Sequence, residues 1–237
     1  MTEKPSKAPG SIAIEGPYQA TIEQTVKLAN EWLERLLGPA ATEIGELLAD
    51  NVRHWRAKQA MRIVLESRAR IDARHIDEPR SVPPSVLIPL LEAASLETEQ
   101  ELHDWWVELL TTASDPSESP VSSAFPRILA ELSHTEARIL NWMYEKGSHS
   151  DSLEQFHSVA KLSDIRGHVA GLEDLDVLTF KPIVSNLCRL GLSEPRHHIV
   201  TRSGGSVSTQ VYDQLVMSPL GAEFVHACRG VPTALSV

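Results

Sequence analysis

The stretch VSNLCRLGLSEP, residues 184–195, sets the reading of this chain. Just upstream, Thr179 offers a capping oxygen, and Pro182 suits a first helical turn, where its missing N–H costs little. Ile183, Val184, Leu187, Cys188 and Leu190 recur at helical spacing, and Gly191 closes the helix. Beyond it His197–Arg202 reads as a strand, Ser203-Gly204-Gly205-Ser206 as a turn, and Val207–Met217 as a return strand that alternates apolar and polar residues. Ser218-Pro219-Leu220-Gly221 then opens a final helix carrying Phe224, Val225 and Cys228.

Working back from that segment, Ser133-His134-Thr135-Glu136 is a capping box before the apolar run Ala137, Ile139, Leu140, Met143 and Tyr144. A second helical stretch is expected near Leu153–Leu162, followed by a less regular segment over Asp164–Asp176. Three helices, a two-stranded hairpin and a last helix form the order of a winged helix-turn-helix.

The first half reads as helical throughout. Residues 1–17 are rich in Pro, Gly and charge and are expected to be a disordered arm. A helix is expected from Thr21 to Gly38-Pro39, and a long one from Ala40 to about Arg74. Pro83-Pro84 leads into a short helix over Ser85–Ala94. Ser95 then reads as the cap of a helix that ends at Ser114-Asp115-Pro116. Ser117–Ser123 is a polar linker, and a short helix over Phe125–Leu132 follows it. The expected class is mainly α, with an N-terminal helical bundle followed by a C-terminal winged-helix (α+β) domain with a two-stranded wing. The expected organisation is a helical domain over 18–117, a linker over 118–123, a winged-helix-like domain over 124–230 and a tail over 231–237.

Net charge is −10 over 237 residues, which argues against coating nucleic acid by bulk charge. The distribution is uneven. Residues 51–80 hold eight bases and four acids, whereas residues 81–126 hold eight acids and neither Lys nor Arg. Such neighbours are expected to pair within one bundle; a nucleic-acid or lipid site on the basic helix is the competing reading. Arg53 and Arg56, at i and i+3, share a helix face beside Trp55, and these three form a candidate partner or anion site.

A recognition helix would offer Lys181, Ser185, Asn186 and Arg189 to DNA, with His197, His198 and Arg202 from the wing. Residues 127–237 hold ten bases against twelve acids, which is thin for phosphate binding, so DNA is possible but not favoured.

Chemistry-bearing motifs are missing. The chain has no phosphate loop, no dinucleotide fingerprint, no HExxH, no GxSxG and no CxxC. Cys188 and Cys228 fall in apolar helical patterns and are expected to be buried free thiols. His226 reads as a partly exposed helical histidine. The Arg-x(4–6)-His spacing of some ribonuclease toxins occurs at Arg68 and Arg70 with His75, and at Arg127 with His134, at the frequency chance supplies. No catalytic residue, metal or cofactor is therefore expected, nor a transmembrane segment, and the protein is expected to be cytoplasmic.

Several pieces, Gly38-Pro39-Ala40, VRHWR (52–56), PLLEAASLE (89–97), the segment 106–116, LSHTEARILNWM (132–143) and NLCRLGLSE (186–194), resemble the Abi-alpha (abortive infection alpha) family. The likeness runs from about Leu36 to Cys228. It departs from the family's usual VRYWR or VRFYR at His54. The resemblance implies a prokaryotic anti-phage protein of the abortive-infection type, and it supplies no catalytic residues to carry over. The expected activity is non-enzymatic, through protein contacts or homo-oligomerisation, with a phage component as a possible trigger. The alternatives are a DNA-binding winged-helix regulator and a ribonuclease toxin.

Overall fold

The computed structural model describes residues 27, 31–32, 35, 54–147, 158–169, 171–172, 177–201 and 208–229. The expected arm, tail and hairpin turn lie outside these residues, and the expected first helix, Thr21 to Gly38-Pro39, lies largely outside them. Described elements run α1 (His54–Ala73), α2 (Pro84–Ala94), α3 (Gln100–Ser114), α4 (Phe125–Ala130), α5 (His134–Lys146), β1 (Val159–Lys161), α6 (Leu162–His168), α7 (Val177–Arg189), β2 (Ser193–Thr201), β3 (Ser208–Met217) and α8 (Pro219–Arg229). The protein is mainly helical, with a small antiparallel sheet.

α1 stops at His75, a non-glycine residue at φ 56°. The His75 N–H reaches the Asp72 carbonyl and the Ile76 N–H reaches the Ile71 carbonyl, at 3.1 and 3.2 Å. This is the paired-bond helix terminus normally built on glycine. His75, one of the toxin-like candidates, thus ends a helix.

α2 begins at Pro84, as the proline signal predicts, and buries Val86, Leu87, Leu90, Leu91 and Ala94. The predicted Ser95 cap is corrected. Ser95 ends α2, its hydroxyl donating back to the Glu92 carbonyl at 2.6 Å, and α3 starts at Gln100 after Glu99. The Glu97 carboxylate braces the turn that precedes α3, accepting the Thr98 and Glu99 N–H groups, both at 2.8 Å, and no side chain caps the helix itself.

α1 and α3 run parallel, with α2 returning between them. Their contacts ascend together: Arg62 with Gln100, Glu66 with His103, Arg70 with Asp104 and Glu108, and Arg74 with Glu108. Beside this polar seam Ile63, Val64 and Ile71 are buried, and the Thr111 hydroxyl donates to Ser67 at 3.2 Å in the interior. A polar seam beside an apolar stripe sets both register and direction.

One apolar core runs from Trp32 to Cys228. Phe224 of α8 is fully buried between Trp105 of α3 and Phe125 of α4, with ring centroids 6.0 and 5.4 Å away. The last helix therefore packs across the first half of the chain. Arg80 fixes the segment between them, donating to the carbonyls of Ala113, Glu118 and Ser119.

The sheet has three strands in the order β1-β3-β2, not two. Residues 159–161, expected to end a helix, form β1 instead. Val159 and Lys161 face out, Ala160 faces in, and the strand pairs with β3 through Val159↔Val216, Ala160↔Leu215 and Lys161↔Gln214. Three residues are too few to show a period; the pairing makes the strand. α6 then occupies Leu162–His168 and runs into the Asp164–Asp176 segment read as irregular. α7 begins at Val177, so Pro182 sits inside the helix. β2 pairs with β3 from Ser193↔Met217 to Thr201↔Ser208, with an irregularity between Arg196 and His197.

Candidate functional site

The two clusters singled out in the sequence are the exposed side of α7 and the basic side of α1. The capping box positions α7. Ser133 N–H and hydroxyl both donate to Glu136 Oε2, at 2.8 and 2.9 Å, and the Glu136 N–H donates back to Ser133 Oγ at 3.3 Å. Glu136 is nearly buried, so its second oxygen needs a donor. Asn186 supplies it: Nδ2 donates to Glu136 Oε1 at 2.9 Å and to the Glu131 carbonyl at 3.3 Å. Arg189 then donates to Asn186 Oδ1 through Nε and Nη2, and its Nη2 also pairs with the Glu131 carboxylate.

Of the four side chains assigned to a recognition helix, Asn186 is thus drawn into the α4–α5 junction, whereas Arg189 pairs with it at the surface, its side chain 58% exposed. Lys181 and Ser185 are exposed on α7. Arg202 lies outside the described residues, and the side chains of His197 and His198 are likewise not described. In the basic cluster, Arg53 lies outside the described residues. Trp55 and Arg56 belong to α1, and their side chains are not described.

Two bases of the basic helix, Arg70 and Arg74, are matched to the acidic segment, as the charge count predicts, while Arg62 and Arg68 pair with Glu66 and Asp72 of their own helix. Glu108 is buried, its side chain 4% exposed, and pairs with Arg70 at 2.9 Å and Arg74 at 2.6 Å. Such a pair is a weak stabiliser compared with an apolar isostere, but breaking it strands charge in the interior. Glu66 accepts from Arg62 at 2.7 Å and meets His103 Nε2 at 2.8 Å. Burial raises the Glu66 carboxyl, but the hydrogen bonds and charges of Arg62 and His103 outweigh it and hold the group below the usual carboxylate range. The stability it contributes is therefore present above its unfolded-chain value of 4.5 and is lost as pH falls through the lower folded value. Chemical denaturation across that acid range should show a shallower loss of stability in Glu66→Gln than in the unmodified chain. Parallel acid limbs would remove Glu66 from the linkage.

Sequence reasoning missed a third cluster. His226 of α8 meets Glu118 through Nε2 at 3.2 Å and Tyr144 of α5 through Nδ1 at 3.4 Å. It ties α8 to the segment before α4 and to α5. Burial raises the Tyr144 hydroxyl above its ordinary range. Cys228 is buried as predicted, and burial, with the nearby Glu108 charge, pushes its thiol well up; Cys188 is only half-buried. Among the described residues, no group of three or more His, Cys, Asp or Glu could hold a metal ion, and no helix is long and apolar enough to cross a membrane.

No curated protein and no solved structure matches this chain. A family model described as abortive infection alpha matches residues 57–228. The match spans α1 to α8 and holds the α1–α3 seam, the capping box and α7. The Gly38-Pro39-Ala40 and 52–56 pieces of the resemblance fall before it. With most of its length inside that match, this chain belongs to the abortive infection alpha family.

Proposed function

We propose that this chain is a cytoplasmic anti-phage protein of the abortive-infection type that works without enzymatic chemistry, through contacts with protein. Family membership supports the defence role. The order α5-β1-α6-α7-β2-β3, with β3 central in the sheet, supports reading the second half as a winged helix. The observation that favours protein over DNA is the engagement of Asn186 by the buried Glu136 carboxylate. A helix that reads base edges needs such side chains free to enter the groove.

Cells expressing the chain, challenged with a phage panel, are expected to resist plaque formation at low multiplicity and to collapse at high multiplicity. Full survival at high multiplicity would overturn the abortive mode, and no protection against any phage would overturn the defence role. Exposed Lys181 and Ser185 keep a second reading in view, a DNA-binding regulator. That reading requires specific duplex binding that Lys181→Ala with Arg189→Ala abolishes. The proposed reading expects protection to survive that double substitution.

A further inference from the structure

Among the described residues, Leu96 and Val159 are the two most exposed large apolar side chains, at 58% and 49%. Each sits in a setting that complements the other. Leu96 tips the turn between α2 and α3, within the PLLEAASLE block. That turn is rigid. Ser95 N–H, Leu96 N–H and Glu97 N–H donate to the Leu91, Ala93 and Ala94 carbonyls at 3.1, 3.0 and 3.2 Å. The Ser95 hydroxyl and the Glu97 carboxylate lock its two sides. Ser95 is buried at its base, and Glu92 and Glu99 are exposed around it. The result is a fixed apolar tip in an acidic surround.

Val159 lies on the outward face of the sheet. Opposed residues of antiparallel strands share a face and alternate along it. The register therefore lines up Val159, Val216 and Glu194 in one row, and Lys161, Gln214 and Arg196 in the next. Ala160 and Leu215 point to the core. The outward face thus presents an apolar pair flanked by Glu194 on one side and by two cations on the other. Lys161 and Arg196 are exposed and have no carboxylate partner among the described residues, unlike Arg138, Arg189 and Arg229, which are paired with Glu101, Glu131 and Glu145.

We infer that the Leu96 turn of one copy docks on the Val159–Lys161–Arg196 face of a second copy, Leu96 against Val159 and Val216, Glu92 and Glu99 toward Lys161 and Arg196. This rests on the protein-contact reading above and names its partner. Tip and face are different surfaces, so the contact either closes reciprocally as a two-fold dimer or runs head-to-tail into a ring or filament, and sedimentation tells the two apart. One turn on one sheet face is a small interface, so the association is weak and concentration-dependent. It is also salt-sensitive, since its charges are exposed.

Sedimentation velocity on the full chain tests this. Between about 1 μM and about 500 μM, the range of a weak contact, the sedimentation coefficient is expected to rise, and to rise less at high salt. Leu96→Ser and, separately, Lys161→Glu with Arg196→Glu are each expected to weaken association by about tenfold or more, from the apolar area and charge pairing lost. Both sites are on the surface, and unchanged melting temperatures check that the variants fold. Mixing the two variants restores one good interface and is expected to yield dimers that go no further. A chain that stays monomeric throughout, or folded variants that assemble like the unmodified protein, would overturn the inference. Phage protection by a strictly monomeric chain would reject self-docking while leaving the defence reading intact.

Discussion

Replacing Phe224 with alanine is expected to destabilise the protein by about 3–5 kcal/mol, the usual cost of removing a buried aromatic ring. The ring is completely buried, tilted 58° against Trp105 and in a T-shaped contact with Phe125. Those partners come from α3 and α4, so the cavity would open where three distant segments meet. A protein of this size has about 5–15 kcal/mol in total, so the variant would lose a large share of its margin. Urea unfolding followed by tryptophan fluorescence measures the loss. Trp105 is one of five tryptophans contributing to the signal, which is expected to move to lower urea together with the far-ultraviolet circular dichroism. A loss below about 1 kcal/mol would mean that α8 does not share a core with the first half. The substitution also separates two kinds of contact. α3 meets α1 through a polar seam beside buried aliphatics, whereas it meets α8 through the tilted Trp105–Phe224 ring pair. High salt should weaken the first more than the second.

Much of this architecture was legible in the sequence because its signals are local. The Ser133–Glu136 capping box, the proline start of α2, the stop at Ser114-Asp115 and the opening of α8 at Pro219 each depend on a few adjacent residues. The pairing of the basic and acidic segments followed from charge counts, although the choice of Glu108 as common partner of Arg70 and Arg74 did not. The misread points depend on distant partners. β1 is a strand because residues 214–216 lie beside it. Ser95 is not a cap because its hydroxyl turns back to the Glu92 carbonyl and α3 starts only at Gln100, with the Glu97 carboxylate bracing the turn between; Glu97 reads in sequence only as favourable helix-end charge. Asn186 and Arg189 look like free groove-reading side chains until the α4–α5 junction is placed beside them. His226 looks solitary until Glu118 and Tyr144 arrive from far away in the chain. In each case a local propensity was correct about the residue and silent about its neighbour.

The junction between α7 and α8 gives the second large effect, and here two local rules oppose each other. Gly221 lies in the first turns of α8, where alanine is the better helix former by about 1 kcal/mol. On propensity alone Gly221→Ala should stabilise the protein. The packing says otherwise. The Ser218 N–H donates to the Leu192 carbonyl at 3.0 Å, the Ser218 hydroxyl donates to the Gly191 carbonyl, and the Gly221 N–H donates to Ser218 Oγ at 2.9 Å. These bonds draw the start of α8 onto the end of α7. A Cβ on Gly221 would fall on the Leu192 carbonyl oxygen and lie 2.9 Å from its carbon. Backbone cannot swing aside as a flexible side chain does. Relieving the clash requires α8 to back away, which loosens Phe224 and Val225 behind it. The steric cost, about 3 kcal/mol or slightly more at such a site, exceeds the propensity gain, leaving a net loss of about 2 kcal/mol. Thermal unfolding of Gly221→Ala beside Gly221→Ser reads it out: both should melt below the unmodified chain, with the serine variant no higher than the alanine variant. An alanine variant that melts higher would mean that propensity wins and that α8 is free to move from Leu192. The close approach also explains why a hairpin can follow α7 at once and still return its chain to the core. Leu192 enters the interior at the same point where Gly221 admits its carbonyl, so β2 and α8 leave one anchored corner in different directions. That corner holds the base of β2 and β3 in place, and the outward face carrying Lys161 and Arg196 is built on their register.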